Sequence, residues 1–222
     1  LPAEQATATD PSAPSANPQD PKAEPSYYNL SMLKAPLWKW EIASYFFLGG
    51  LSAGAFILAR MAERFGGNEY ADLTRIGTYF AGATILPAPG LLIHDLGDPK
   101  RFHHMLRVWK PTSPMNLGTW ALTAYSGVAA ASVLRVYLVG SDVSQTDRSL
   151  LSKLAWSTLL AVQDAAGVPL ALIVAGYTGV LLNSTANPLW CKNPWLGPLF
   201  SASAIATGAA AVNLVLGLTG TS

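Results

Sequence analysis

The chain has 222 residues, half of them hydrophobic and only 12% charged, with a net charge of +1. Soluble domains carry about a quarter charged residues, so composition points to a membrane protein, and near-neutrality gives no reason to expect a nucleic-acid partner. The single cysteine, Cys191, excludes an internal disulfide and a cysteine-ligated iron–sulfur cluster, which needs about four thiolates.

Residues 1–26 are rich in Pro, Ala and small polar residues without an apolar period. That predicts an extended or disordered tail. It lacks the basic start and apolar core of a signal peptide. The sequence does not begin with Met, so a processed or partial sequence is expected. Residues 27–40 alternate Tyr27, Tyr28, Trp38 and Trp40 with Lys34 and Lys39. Aromatic rings and lysines just before an apolar run are typical of a membrane interface.

Residues 41–222 are expected to form an all-α transmembrane bundle. The first span covers about Glu41–Met61, close to the roughly 20 residues that cross the hydrocarbon core. Its Gly50-Leu-Ser-Ala-Gly54 run has a small-xxx-small spacing that lets helices approach closely. The second span covers about Ile76–His94, with Pro87, Pro89 and Gly90 near its far end. That end should be kinked or broken. The third covers about Leu117–Leu138. The fourth covers about Leu160–Leu182, tilted or kinked at Pro169. The fifth covers about Leu199–Leu218.

Alternation of five spans fixes sides. The tail, the 95–117 connector and the 183–197 loop share one side, here side A; the 62–75 and 139–153 loops lie on side B. Lysines and arginines are nearly balanced between the sides, so positive-inside counting chooses no orientation.

Side assignment brings distant residues to one depth. Glu41 starts span one, His94 and Asp95 end span two, and Tyr177 lies in the last turns of span four, all toward side A. Ionisable groups at the bilayer edge are functional candidates. A quinone head group needs hydrogen-bond partners at its carbonyls and a proton donor on reduction, and Glu, His, Asp and Tyr suit both tasks. The alternative is that Glu41 complements the helix dipole and His94-Asp95 caps a broken helix. Asp164 interrupts the apolar run LLAVQDAAGVPL. It lies about 27 Å from Leu182 along a continuous helix, toward side B. It is either a proton relay or the partner of Arg60, Arg75 or Arg135.

The connector also carries Lys100, Arg101, Arg107 and Lys110. These either snorkel at the interface or dock an acidic partner. His103-His104 is a weak metal signal, better read as a solvent-exposed pair. A transmembrane b-type haem needs histidines within helices, and only His94 lies near a span. No haem and no metal site is therefore expected, and any electrons must come from another subunit.

Three blocks carry a family resemblance: PLWKWEIASYFFLGGLSAGAF (Pro36–Phe56), HDLGDPKRFHHMLRVWKPTSPMNLGTW (His94–Trp120) and YTGVLLNSTANPLW (Tyr177–Trp190). In content and order they resemble the NrfD/PsrC-like family, the membrane subunits of polysulfide-reductase-type respiratory complexes. The resemblance covers nearly everything after residue 27. It implies a multi-pass subunit of a quinone-linked oxidoreductase, in a bacterial or archaeal cytoplasmic membrane. Such a subunit has no redox metal of its own. It exchanges electrons between a ferredoxin-like iron–sulfur subunit and menaquinone or ubiquinone, beside a molybdopterin-type catalytic subunit. The family pocket corresponds here to Glu41, Tyr45, His94, Asp95 and Tyr177, with Asp164 as a relay, and Lys100–Lys110 would be the docking surface. The resemblance favours a periplasmic side A. Family members usually have about eight or more spans, so five imply a missing C-terminal part or a short variant. A non-redox membrane anchor is the alternative from another functional class.

Overall fold

The computed structural model describes residues 40–95, 99–140, 158, 161, 163–185 and 187–220. The predicted tail (1–26), nearly all of the interfacial segment (27–39) and most of the 139–153 loop lie outside the described residues. The regular structure that is described is helical, and five helical stretches are long and apolar enough to cross a membrane.

Helix α1, Trp40–Phe65, places Glu41 in its first turn and Arg64 in its last, as the helix dipole favours. It is the central helix. Of its apolar window 56% is buried, against 17% for the fifth span. Ile42, Tyr45, Ala53, Ala55, Phe56 and Ile57 face inward. A short 3₁₀ turn, Gly67–Tyr70, leads into α2, Ala71–Ile85.

The second span breaks where the prolines predict. Helix α2 ends before Leu86-Pro87 and α3 runs Ala88–Asp95. Pro87 has no N–H to donate and its ring collides with the carbonyl four residues back. Its own carbonyl still accepts from the Leu91 amide at 3.0 Å, so the second segment restarts at once. Together they form one 25-residue span, Ala71–Asp95.

The connector folds into a 3₁₀ turn, Pro99–Arg101, and a short helix α4, His103–Arg107. Helix α5, Pro114–Gly140, follows. Proline suits a first helical position because that N–H is unpaired anyway.

The fourth span departs in detail from expectation. Its irregularity is a π-turn at Gln163–Gly167, ending just before α6, Val168–Asn183. Pro169 sits in the first turn of α6, so the widened turn absorbs the clash one turn ahead of the proline. Helix α7, Leu196–Thr219, ends on Gly220 in the left-handed conformation, φ 68°, as helix C-caps often do.

Contacts at both ends of the bundle agree with the alternation of sides. His94 meets Glu41, and Tyr177 meets the Pro114 carbonyl, at one end. Arg135 meets Glu63 at the other. The spacing of small residues is used where expected: a Cβ on Gly54 would fall on the Ala204 carbonyl, so α1 and α7 touch backbone to backbone there. One polar bridge crosses the core. Ser52 Oγ donates to the Ala81 carbonyl at 2.7 Å and lies 2.8 Å from the Tyr125 hydroxyl. Ser52 has one proton to give, so Tyr125 is the donor in the second bond.

Candidate functional site

At the side-A end, α1, α3, α5 and α6 surround a small enclosed cavity. Tyr45, Phe46 and Gly49 line it from α1, Leu92 from α3, Met115, Gly118, Thr119 and Leu122 from α5, and Val174 and Tyr177 from α6. The walls are mostly apolar and the polar groups few, as in most small-molecule pockets. Tyr45 is 6% exposed, and Tyr177 and Asp95 lie within electrostatic reach of its hydroxyl. The Tyr177 hydroxyl donates to the Pro114 carbonyl at 2.9 Å, which leaves its oxygen able to accept. Gly118 makes this possible: a Cβ there would fall on the Tyr177 ring. The free space is about 20 Å³, room for about one water. A larger guest enters only if a wall moves, and Phe46 and the flexible Met115 are the adaptable members of that wall.

Glu41 lies one helical turn before Tyr45, on the same face of α1. Its side chain is 7% exposed, and Oε1 stands 3.4 Å from His94 Nδ1. Its second oxygen, Oε2, is buried with no hydrogen-bond partner. His94 is the opposite case, with 74% of its side chain exposed. A solvent-facing imidazole therefore touches a buried carboxylate, which in turn sits one turn from a cavity-lining phenol. That arrangement can carry a proton between side-A water and the cavity.

The family model for the NrfD polysulphide reductase proteins matches residues 29–221. The protein belongs to the NrfD family. Among its relatives, a membrane-family homologue named for the polysulfide reductase of Wolinella succinogenes is 35% identical over 195 residues, 86% of this chain and 61% of that protein. The NrfD protein of Escherichia coli is 29% identical, over 82% of this chain and 60% of its own length. A subunit of the selenate reductase of Mesobacillus selenatarsenatis is 26% identical, over 78% of this chain and 46% of its own. The sequence thus spans about three fifths or less of the relatives it matches. With five membrane-length helices, this NrfD-family protein is a multi-pass integral membrane protein.

Of the residues singled out in the sequence, Glu41, Tyr45, His94, Asp95 and Tyr177 share the side-A end. Tyr45 and Tyr177 line the cavity itself, whereas His94 stands at its rim. Lys100, Arg101, Arg107 and Lys110 are exposed along the connector. His103 and His104 are exposed too, with ring centroids 4.3 Å apart. Asp164 belongs to the π-turn, and its side chain lies outside the described residues. Two of the arginines offered to it, Arg60 and Arg135, both bind Glu63. Arg135 grips it through both nitrogens, at 2.7 and 2.8 Å, and Arg60 pairs with the same carboxylate.

Sequence reasoning missed four contributors. Phe46, Met115 and Gly118 line the cavity but carry no chemical signature. Asn116 does carry one. Its amide donates to the Met105 and Val108 carbonyls, both at 2.9 Å, and its oxygen accepts from the Lys110 amide at 2.8 Å. It ties the basic connector to the first turn of α5, next to Met115. A polar residue just inside a helix start, six positions after Lys110, was the available signal.

Proposed function

We propose that this protein is the quinone-exchanging membrane subunit of a respiratory oxidoreductase. It passes electrons between the quinone pool and an iron–sulfur partner seated on the Lys100–Lys110 connector. A molybdopterin-type catalytic subunit would lie beyond that partner. The relatives named for polysulfide and selenate reductases support membership of such assemblies. The observation that carries the quinone reading is the run from exposed His94 through buried Glu41 to Tyr45 on the cavity wall.

The chemistry needs that run. Reducing a quinone to a quinol takes two electrons and two protons, and oxidation releases both. In either direction the protons must cross between the ring and water. Tyr45 donates a hydrogen bond to one ring carbonyl, and the Tyr177 oxygen accepts from a quinol hydroxyl. Glu41 exchanges protons with the ring side through its unpartnered Oε2, and His94 returns them to side-A water. Asp95 adds negative charge beside Tyr45 and holds a proton near the site. Entry of the ring displaces Phe46 and Met115. Asn116 keeps the connector, and so the docked partner, against the same wall.

The test is quinone-linked turnover of the purified complex carrying Glu41→Gln, His94→Ala or Asp95→Asn. Loss of positioned acid–base catalysis lowers rates by about a hundredfold or more, and Glu41→Gln should show this with the complex intact. Wild-type rates in all three would favour a passive anchor, a reading that the small resting cavity also suits.

A further inference from the structure

A second hollow adjoins the cavity. It is about 360 Å³ and lies between α1, α6 and α7. Phe47 and Gly50 of α1 face Phe200, Ser203 and Thr207 of α7 across it, with Thr178 of α6 at its floor. Phe47 is 61% exposed, so the open side of the hollow faces lipid. The hollow has a structural cause. Helices α1 and α7 run in the same direction and touch at Gly54 and Ala204, where Gly208 also meets the Gly54–Ala55 backbone. Toward side A of this crossing the contact loosens, and the gap is left unfilled. The Thr207 hydroxyl donates to the Ser203 carbonyl at 2.8 Å, so it presents no unmet polar group to the space.

Two residues, Phe46 and Thr178, line both the cavity and this hollow. The Phe46 ring is the partition. Its centroid is 4.4 Å from that of Tyr45 and 6.3 Å from that of Tyr177, at the point where the ring must move for a guest to enter. A larger groove, about 550 Å³, lies between α2 and α5 around Tyr79, Leu86 and Tyr137. It shares no lining residue with the cavity.

We propose that the polyprenyl tail of the quinone leaves the cavity past Phe46 and lies in the α1–α6–α7 hollow, reaching lipid between α1 and α7. This rests on the quinone reading of the cavity. A polyprenyl tail is apolar, has no hydrogen bonds to make and must exit toward acyl chains. The hollow meets all three conditions and is continuous with the place where the ring would sit. Displacement of Phe46 then opens the head site and the tail route in one motion.

Two photoreactive menaquinone analogues test this on the complex in proteoliposomes, with adducts mapped by mass spectrometry. One carries a diazirine on the ring and the other carries it in the second isoprene unit. The ring probe should label the cavity saturably. The tail probe should label Phe47–Leu51 and Phe200–Thr207, and Ser203→Leu with Thr207→Leu should lower that labelling about tenfold by filling the hollow. Ring labelling should be unchanged by those substitutions. Tail adducts on α2 and α5, with the ring still in the cavity, overturn the route alone. Absence of saturable ring labelling in the cavity overturns the head site, and the route with it. The map on the unsubstituted protein decides between these even if the double variant does not fold.

Discussion

Replacing Glu63 with Gln should destabilise this protein more than replacing either arginine that holds it. Glu63 neutralises two guanidinium groups whose side chains are only 4% and 11% exposed, those of Arg60 and Arg135. Arg135 binds it as a two-pronged fork, the strongest ion-pair geometry available to these groups. Arg60 is also held by Thr78 at 3.2 Å. Removing one partner of a buried pair costs about 3–5 kcal/mol, because the other charge is stranded. Glu63 itself is 35% exposed, so water relieves part of this, and about 2–3 kcal/mol is the working figure for Glu63→Gln. Arg135→Gln removes two charge-assisted bonds but leaves Arg60 and Glu63 balanced, so about 1–2 kcal/mol is expected. SDS titration of the purified protein, followed by tryptophan fluorescence, measures the order. The double variant should lose less than the sum, since both changes act on one network. An Arg135→Gln loss equal to or larger than that of Glu63→Gln would refute the view that these charges form a single unit centred on Glu63.

Three further outcomes follow from the side-A geometry. Gly118→Leu should drive the Tyr177 ring off its seat and break its bond to Pro114, so quinone-linked turnover falls while the assembly stays intact. Asn116→Ala removes three hydrogen bonds, each worth about 0.5–1.5 kcal/mol; amide exchange at Met105–Lys110 should speed up and partner affinity should fall. Charge reversal at Lys100, Arg101 and Arg107 should release the partner subunit, with wild-type docking weakening as salt screens the contact; a variant complex that survives high salt would contradict the docking surface.

The span count and the break in the second span were readable in the sequence because they follow from hydropathy and from what proline does to a helix. So was the meeting of Glu41 with His94, since alternating spans put both at one depth. The cavity lining was not readable. Phe46, Leu92 and Met115 look like any lipid-facing residue until packing assigns them a side. Glu63 looked like one of several charges ending the first span, and nothing in its spacing showed that Arg135, 72 positions away, would share it. The kink in the fourth span was legible, but its form as a π-turn ahead of Pro169 depends on how the helix is packed. The Asn116 clamp was hidden for another reason: its partners are backbone groups, which every residue has.

Infrared difference spectroscopy of quinone labelled with ¹³C at the ring carbonyls tests most directly whether Tyr45 binds the ring. In the wild-type protein one carbonyl band should lie below its position in free quinone, the mark of a hydrogen bond from a buried phenol. In Tyr45→Phe that band should return toward the free value while the other stays put. Identical carbonyl bands in the two proteins would contradict a quinone ring seated against Tyr45.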